Sequence, residues 1–327
     1  MSYNIFVFVP GFGQIISAPT FLATHALSQH FMAKGIQMAV STLSFPDIAE
    51  LRSMAMTIWY DTMPNSSHML FIDSDMAFPP DMVTDMLMFD EPLVGCIYAQ
   101  RKLPQSWAGS GTGQPMAERR GGFMRVEGVG MGCTLIRREV ITAMLEKMPH
   151  LIDTRLNLHP AGETIRQAGS NRIIRAFEKL DLPERGLVSE DLSFCIRWNQ
   201  CGGQTWACIG HRISHVGPFD YQGRYLDVVE AQERQAVMAM QARPTVDLAQ
   251  VAATTTVAPL VAQETSSTED QMEALGAALH VELAGTTPHP PAVSQVVVRS
   301  RVRSRAARVV RTKRAVARKQ STRRRRA

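Results

Sequence analysis

Two aspartates, Asp73 and Asp75, stand one residue apart directly after an apolar stretch of strand length, residues 68–72. Pro79-Pro80 then forces a turn and can open the next helix. In open α/β sheets, ligands bind outside the carboxyl ends of the strands. Carboxylate oxygens suit hard cations such as Mg²⁺ or Mn²⁺, which can bridge a protein to a diphosphate. The spacing therefore indicates a metal and phosphate site; the alternative is two solvated carboxylates in a strand–helix loop.

A second acidic pair, Glu190 and Asp191, follows Ser189, a residue suited to cap a helix. Acids in a first helical turn are also favoured by the helix dipole. The pair is therefore consistent either with acid–base chemistry or with helix stabilisation. Two histidines, His211 and His215, follow further along the chain. Histidine is a frequent metal ligand, although a single histidine is more often structural.

Alternating strand and helix patterns over the first hundred residues must position these side chains. Strands are predicted at 4–9, 36–43, 68–72 and 92–98, and helices at 20–33, after Asp47, and at 81–88. This β-α-β-α-β-α-β order is typical of a doubly wound, largely parallel sheet flanked by helices. The predicted fold class is therefore α/β.

The regular alternation stops at Arg101. Residues 101–122 are polar and rich in glycine, which predicts either a lid or binding loop or an ordinary surface loop. Beyond it, strands are predicted at 123–126, 133–137 and 205–209, helices at 139–148, after Ser189 and at 224–241, and an irregular stretch at 149–187 with an amphipathic piece near 173–180.

Charge is strongly segregated along the 327 residues. The net charge of +5 includes 14 of the 35 Lys and Arg residues in 299–327, where there is no acid. Residues 244–298 hold six acids and no base, which leaves 21 basic and 24 acidic residues in 1–243. We predict a globular domain over 1–243, a flexible Ala/Thr/Val-rich linker over 244–298, and a mostly disordered basic arm over 299–327.

The cysteines and the apolar runs indicate the compartment. The five cysteines form no Cys-x-x-Cys pair and match no zinc spacing, which predicts reduced, mostly buried thiols of a cytosolic protein. The start of the chain lacks the pattern of a signal peptide, and no run approaches the roughly 18 apolar residues of a membrane span. The predicted location is cytoplasmic, with the basic arm able to hold the protein at a nucleic acid or an anionic membrane surface.

Taken in order and with their spacing, several short motifs give the chain a resemblance to nucleotide-sugar glycosyltransferases of the GT-A fold, especially the inverting, family-2-like branch. The matching pieces are Pro10 at the end of the first strand, Leu51-Arg52, Phe71-Ile72-Asp73-Ser74-Asp75, Gly130 to Arg138, Ser189-Glu190-Asp191, and His215-Val216-Gly217. The resemblance covers about residues 1–225. It implies a GT-A-like, Rossmann-related sheet and a divalent cation, Mn²⁺ or Mg²⁺, as cofactor.

The resemblance also implies roles on the donor side. Asp75 would ligate the cation, Asp73 would contact the ribose or the metal, and His215 would complete the metal site. Arg52 would pair with phosphate or ribose through its fork of donors. Pro10 would lie beside the bound nucleotide.

On the acceptor side, Asp191 would be the general base that deprotonates the acceptor hydroxyl, with Glu190 as second choice or as an acceptor ligand. Gly130-Met131-Gly132 would let the backbone approach the acceptor closely. Trp107 or Trp206 could stack on a sugar face, or could simply pack in the core.

These observations predict a metal-dependent glycosyltransferase that moves a sugar from a nucleotide-diphosphate donor to a hydroxyl acceptor. One alternative keeps the enzyme but places the acceptor on a modified base of nucleic acid, held by the basic arm. A second alternative is a non-catalytic nucleic-acid-binding protein with a degenerate transferase domain. The presence of Asp73, Asp75 and Asp191 favours an enzyme.

Overall fold

The computed structural model describes residues 3–109 and 118–241. The predicted linker over 244–298 and the basic arm over 299–327 lie outside the described residues, as do residues 110–117 of the glycine-rich loop. Among the described residues, no helix is long and apolar enough to cross a membrane.

Seventeen strands are assigned within the described residues. They are β1 Asn4–Pro10, β2 Gln37–Leu43, β3 His68–Ile72, β4 Met76–Ala77, β5 Leu93–Cys96, β6 Tyr98–Ala99, β7 Trp107–Ala108, β8 Arg119–Arg120, β9 Phe123–Val126, β10 Gly130–Arg137, β11 Ile152–Asp153, β12 Ile173–Ile174, β13 Asp181–Leu182, β14 Gly186–Leu187, β15 Thr205–Cys208, β16 Ile213–Val216 and β17 Asp220–Gly223. Eight of them form one large sheet in the order β2-β1-β3-β10-β5-β15-β9-β8.

The large sheet is mostly parallel, as the sequence predicts. β1 runs parallel to both β2 and β3, and β5 runs parallel to β15. Only β10 and β9 run against the common direction. The α/β class is therefore confirmed. A smaller sheet, β17-β16-β4, lies at the end of β3, where it supports the Asp-x-Asp loop.

Residues 3–109 and 118–241 form seven α-helices: α1 Ala18–Ala33, α2 Ile48–Thr62, α3 Pro80–Phe89, α4 Arg138–Lys147, α5 Gly162–Gln167, α6 Glu190–Gln200 and α7 Tyr225–Gln241. Their starts follow local chemistry. The Ser17 side chain caps α1 and accepts a bond from the Thr20 amide at 3.2 Å, and Asp47 caps α2 through the Glu50 amide at 2.9 Å. Pro80 opens α3 without a side-chain cap.

Alternate residues of the central strands enter two separate cores. Phe6 and Phe8 of β1 face the core under α2, α4 and α6, while Ile5 and Val7 face the core under α1 and α3. All these side chains are buried. The two layers fix the position of β3, and with it the aspartates that follow.

The structure refines or corrects three sequence-based expectations. β10 begins at Gly130 and lies antiparallel between β3 and β5, rather than being a short strand near 133–137 after the main sheet. The amphipathic piece near 173–180, in a stretch predicted to be irregular, begins with a short strand, Ile173–Ile174, which pairs with β11. Trp206 is fully buried against Phe89, so it cannot stack on a sugar.

The five cysteines are free and buried, as the sequence predicts: Cys96, Cys133, Cys195, Cys201 and Cys208. Their thiols therefore belong to the core.

Candidate active site

The two aspartates of the Asp-x-Asp motif follow β3 and are held by backbone bonds on two sides. The Asp73 amide donates to the Gly132 carbonyl of β10 at 2.9 Å, and the Val216 amide donates to the Asp75 carbonyl at 2.7 Å. Met76, directly after the motif, pairs with His215 of β16. The motif is thus fixed between β10 and β16, and both carboxylates remain half-buried.

His215 faces Asp75 across 3.4 Å, from Nε2 to Oδ2. Its Nδ1 lies 3.0 Å from the carbonyl oxygen of Ala99, which can only accept, so Nδ1 carries a proton. In the neutral ring, Nε2 then carries a lone pair, and this lone pair faces a carboxylate oxygen. A metal cation placed between the two atoms could take both as ligands.

A third side chain, Arg101, also contacts the Asp75 carboxylate. The Nη1 atom of Arg101 lies 3.0 Å from Oδ2 of Asp75, the same oxygen that faces His215. Burial opposes ionisation of Asp75, but the hydrogen bond and charge of His215 and the charge of Arg101 together lower the pKa of this carboxyl. Asp75 is therefore an anion at neutral pH, as a metal ligand must be.

Arg52 bridges the two acidic pairs that the sequence singles out. Its Nη2 donates to Asp73 Oδ1 at 2.8 Å, and its Nη1 donates to Glu190 Oε1. Arg52 is only 4% exposed. Burial opposes its charge, but Asp73 and Glu190 hold the pKa of Arg52 above its usual value. The guanidinium is thus a buried link between the start of α2, the end of β3 and the start of α6.

Asp191 lies next to Glu190 in the first turn of α6. Its Oδ1 accepts bonds from the Ser189 hydroxyl and from the Leu192 amide, the latter at 2.7 Å. Among the described residues, the recorded bonds to this carboxylate all reach Oδ1, so Oδ2 is the oxygen able to accept a further proton. Ser189 occupies the predicted capping position, but its hydroxyl bonds to Asp191 rather than to the helix backbone.

Tyr98 is a site residue that sequence reasoning missed. Burial and then the Asp73 carboxylate raise the pKa of Tyr98 well above its usual range, so the phenol keeps its proton. A Cβ placed at Gly130 would lie 2.5 Å from the Tyr98 hydroxyl oxygen, and one at Gly132 would lie 2.7 Å from the ring. Two glycines spaced by two on one strand were the available signal, because they leave room on one face for a bulky neighbour.

This packing bears on the role expected for the segment Gly130-Met131-Gly132. The three residues are buried within β10, and Met131 is fully inaccessible. Tyr98 fills the space beside both glycines. Their expected contact with an acceptor is therefore not supported by their position, and it is the phenol of Tyr98 that lies among the acidic residues.

The structure also shows where His211 and Trp107 lie. His211 bonds to Asp85 at 2.7 Å, away from the Asp-x-Asp motif. Trp107 packs edge-on against Tyr225, with ring centroids 5.2 Å apart, and remains partly exposed. Of the two histidines in this part of the chain, the structure brings only His215 to the aspartates.

A cavity of about 240 Å³ opens beside the motif. It is lined by Pro10, Phe45, Pro46, Ile48, Leu51, Arg52, Asp73, Ser74 and Asp75. One wall is apolar and the other carries the two aspartates. Pro10, Arg52, Asp73 and Asp75, the four residues expected on the donor side, thus line one cavity, with His215 adjacent through Asp75.

The side chains at Asp75 fit a divalent cation that a ligand helps to hold. Among residues 3–109 and 118–241, no cluster of three or more His, Cys, Asp or Glu side chains forms a complete metal site. Asp75 and His215 supply two donors 3.4 Å apart. Adjacent ligands of an octahedral ion with bonds of about 2.1 Å stand about 3 Å apart. The remaining ligands would come from water and a bound phosphate, the usual arrangement for Mg²⁺ at phosphate sites.

Comparison with known proteins finds only distant similarity. No protein-family model matches the sequence, and no curated protein is significantly similar. The solved structures that resemble the chain include A197 from STIV, with a TM-score of 0.37 and 16% identity over 65% of this chain and 86% of that one.

Two further similar structures are glycosyltransferases. One is involved in the glycosylation of the major capsid of PBCV-1, with a TM-score of 0.27 and 10% identity over 49% of this chain and 72% of that one. The other is the catalytic domain of Drosophila beta1,4galactosyltransferase 7 in complex with xylobiose, with a TM-score of 0.25 and 14% identity over 43% of this chain and 52% of that one. At such scores the similarity assigns no function, so the assignment depends on the side chains of the site.

Proposed function

We propose that the chain is a metal-dependent glycosyltransferase that moves a sugar from a nucleotide-diphosphate donor to a hydroxyl acceptor, with inversion. The observation that carries the proposal is that Asp75, whose Oδ2 faces Nε2 of His215 at 3.4 Å, lines the same cavity as Pro10, Arg52 and Asp73. A carboxylate just beyond a parallel strand, faced by an imidazole, suits a cation that is shared with a diphosphate.

The cavity beside the motif supports the donor side of the proposal. Its apolar wall, with Phe45 and Leu51, suits the face of a nucleoside base, and its polar wall ends at Asp73 and Asp75. Asp73 is held by Arg52, so one of its oxygens is fixed and the carboxylate can accept a ribose hydroxyl bond without reorienting. Arg52 lines this cavity, is buried and bonds to Asp73 and Glu190, which supports a role in positioning Asp73 beside the donor.

When bound, the cation neutralises the charge that develops on the departing nucleoside diphosphate. The chain's own residues then have two tasks. Asp75 and His215 would hold the cation that the diphosphate of the donor shares. Asp191 accepts the proton of the acceptor hydroxyl at Oδ2 as the new bond to the anomeric carbon forms and the bond to the diphosphate breaks.

Glu190 and Asp191 have different roles in the proposed reaction. Glu190 is engaged in an ion pair with the buried Arg52, which holds its Oε1 away from an acceptor hydroxyl. Asp191, in contrast, bonds only to neutral groups of its own helical turn, the Ser189 hydroxyl and the Leu192 amide, and is the proposed base. Tyr98, protonated and close to both glycines of β10, would donate a hydrogen bond within the same site.

A donor screen tests the proposal. Purified protein is incubated with Mn²⁺ and each member of a panel of nucleotide sugars, and nucleoside diphosphate release is measured with and without EDTA. Water can replace the acceptor, so the assay needs no acceptor identity. We expect release from at least one donor, lost with EDTA and in Asp75→Asn. No release from any donor, or release that is unaffected by EDTA and by Asp75→Asn, would contradict the proposal.

A further inference from the structure

The surface formed by α1 and β2 exposes an unusual amount of apolar side chain. On the outer side of α1, Phe21 is 63% exposed, Leu22 is 62% exposed and Met32 is 77% exposed, and on β2 Val40 is 53% exposed. The inner side of α1 is also apolar, with Leu27 and other residues buried in the core. The helix therefore presents apolar residues to both the core and the outside, which is not typical of a solvent-facing helix.

A cavity of about 330 Å³ lies between the two elements on this α1–β2 surface. Its apolar lining includes Val9, Ile16, Phe21, Met38 and Val40. Contiguous exposed apolar area with a groove marks a contact site more often than scattered apolar residues do.

β2 is also an edge strand. It is the first strand of the large sheet, and within residues 3–109 and 118–241 no strand pairs with its outer side. Its side chains are exposed or half-buried at every position. Natural proteins usually protect such an edge with charged side chains or proline. Neither occurs in β2, Gln37–Leu43.

The whole region is almost free of charge. Residues 1–46 contain a single Asp, Glu, Lys or Arg, namely Lys34, although the chain as a whole is 20% charged. Lys34 lies at the end of α1, outside both the helix and the strand. A surface that must meet an oppositely charged partner would carry charge, so this composition favours a partner that is itself uncharged and apolar.

We propose that the α1–β2 surface is the contact between two copies of this chain, with β2 pairing antiparallel to β2 of the second copy. A two-fold contact brings the same patch together from both sides and must be self-complementary. An uncharged patch meets this condition, since no like charges face each other. The unpaired backbone groups of one edge would bond to those of the other, and the apolar outer side of α1 would pack against its counterpart.

The register of this pairing follows from the strand itself. Val40 is the central residue of β2, so pairing over the full strand places Val40 at the two-fold axis, opposite Val40 of the second copy. The two copies of Lys34 then lie at opposite ends of the joined strands. This contact is independent of the proposed glycosyl transfer, because no residue of β2 or of the outer side of α1 belongs to the site around Asp75.

Sedimentation of the full chain tests the contact. We expect wild-type protein to behave as a dimer that withstands high salt, because no ion pair holds the surface together. Val40→Lys places two like charges at the axis and should raise the dimer dissociation constant about tenfold or more. Met88→Lys, at an apolar residue of α3 that is also more than half exposed, is the matched control and should remain dimeric. Melting temperatures verify that both variants fold.

A cysteine at the axis gives a positive signal for the same register. Directly opposite residues of antiparallel strands have Cα atoms about 4.5–5.5 Å apart, which suits a disulfide. With diamide as oxidant, Val40→Cys should form a covalent dimer, whereas Met88→Cys and the wild type, whose cysteines are buried, should not.

Three results would overturn the proposal. One is a wild-type chain that stays monomeric at every concentration. The second is a dimer unchanged by Val40→Lys and not cross-linked through Val40→Cys. The third is a monomer that co-sediments with neutral phosphatidylcholine vesicles and loses this binding in Val40→Lys, which would assign the surface to a membrane.

Discussion

Arg101 and a divalent cation would compete for the same oxygen of Asp75. The guanidinium reaches Oδ2 at 3.0 Å and is about half exposed, so it can leave the carboxylate at a modest cost. A cation between Asp75 and His215 would displace it and leave a positive side chain beside the incoming diphosphate. Arg101 then acts as the counter-ion of Asp75 when no donor is bound.

This competition predicts that Arg101→Gln binds Mn²⁺ more tightly than the wild type when nucleotide is absent. The gain should be at most about fivefold, since exposed ion pairs contribute up to about 1 kcal/mol. Titration calorimetry or electron paramagnetic resonance measures it. Lys102→Gln removes the same charge from the neighbouring residue and is the control. Equal Mn²⁺ affinity in both variants would show that Arg101 does not compete.

The role of Asp191 predicts a loss of turnover without a loss of donor binding. Asp191→Asn keeps the shape of the side chain and can still accept the Ser189 bond, but it cannot take a proton. Turnover should fall by about 10²–10⁴-fold, the usual contribution of general-base catalysis. Donor affinity, measured separately, should be unchanged. Glu184→Gln, an exposed acid before α6, is the control, and turnover of Asp191→Asn at the wild-type rate would place the base elsewhere.

Arg52 joins three elements that are far apart in the sequence. It lies in α2 and bonds to Asp73 after β3 and to Glu190 in α6, so the two acidic motifs depend on one buried side chain for their relative position. Removing one partner from a buried ionic group leaves the others without compensation.

We therefore predict that Arg52→Met lowers the free energy of unfolding by about 3 kcal/mol. Urea denaturation measures the change. Arg166→Met is the matched control, because Arg166 pairs with Glu163 at the surface and should change stability by less than about 1 kcal/mol. If the two variants are equally stable, the bridge through Arg52 does not hold the site together.

Local signals explain which elements could be predicted. The first three strands carry their own apolar runs, and the helix after Asp47 carries its own cap and apolar side, so the sequence locates them closely. The position of β10 in the sheet could not be predicted. Its partners, β3 and β5, both precede it by many residues, and no local sequence pattern indicates that a strand lies antiparallel between them.

The residues of the site also divide into those that a local sequence signal identifies and those that only the fold brings together. Asp73 and Asp75 were predictable because a buried strand ends at them. The burial of Arg52 was not, since its partners lie 21 and 138 residues away. Tyr98 resembles any core aromatic at the end of a strand, and only the fold brings it beside the glycines of β10.

The stability of the whole molecule should depend on pH through His68, a buried residue of the central strand β3. Burial and the charge of Arg137 lower the pKa of His68 to about 4. Between this value and the usual pKa near 6.5, the unfolded chain binds a proton that the folded chain does not, so stability is lost as the pH falls from 6.5 towards 4.

From pH 7 to pH 5, His68 should account for about 2 kcal/mol of the loss in unfolding free energy. His68→Asn removes the titrating group, so the variant should lose less stability over this interval than the wild type. Urea denaturation at the two pH values measures both. His25→Asn, at an exposed residue of α1, is the control. Parallel pH profiles of the wild type and His68→Asn would show that this histidine is not the cause.

The central claim is that Asp75 and His215 hold a divalent cation together with a nucleoside diphosphate. Binding of nucleoside diphosphates to the full chain, measured by calorimetry with Mn²⁺ and with EDTA, tests it most directly. We predict that at least one nucleoside diphosphate binds with Mn²⁺, that EDTA abolishes binding, and that Asp75→Asn weakens it at least about tenfold. Asp81→Asn, an exposed acid of the same segment, should bind as the wild type does. Binding that is equally strong with EDTA and in Asp75→Asn would contradict the claim.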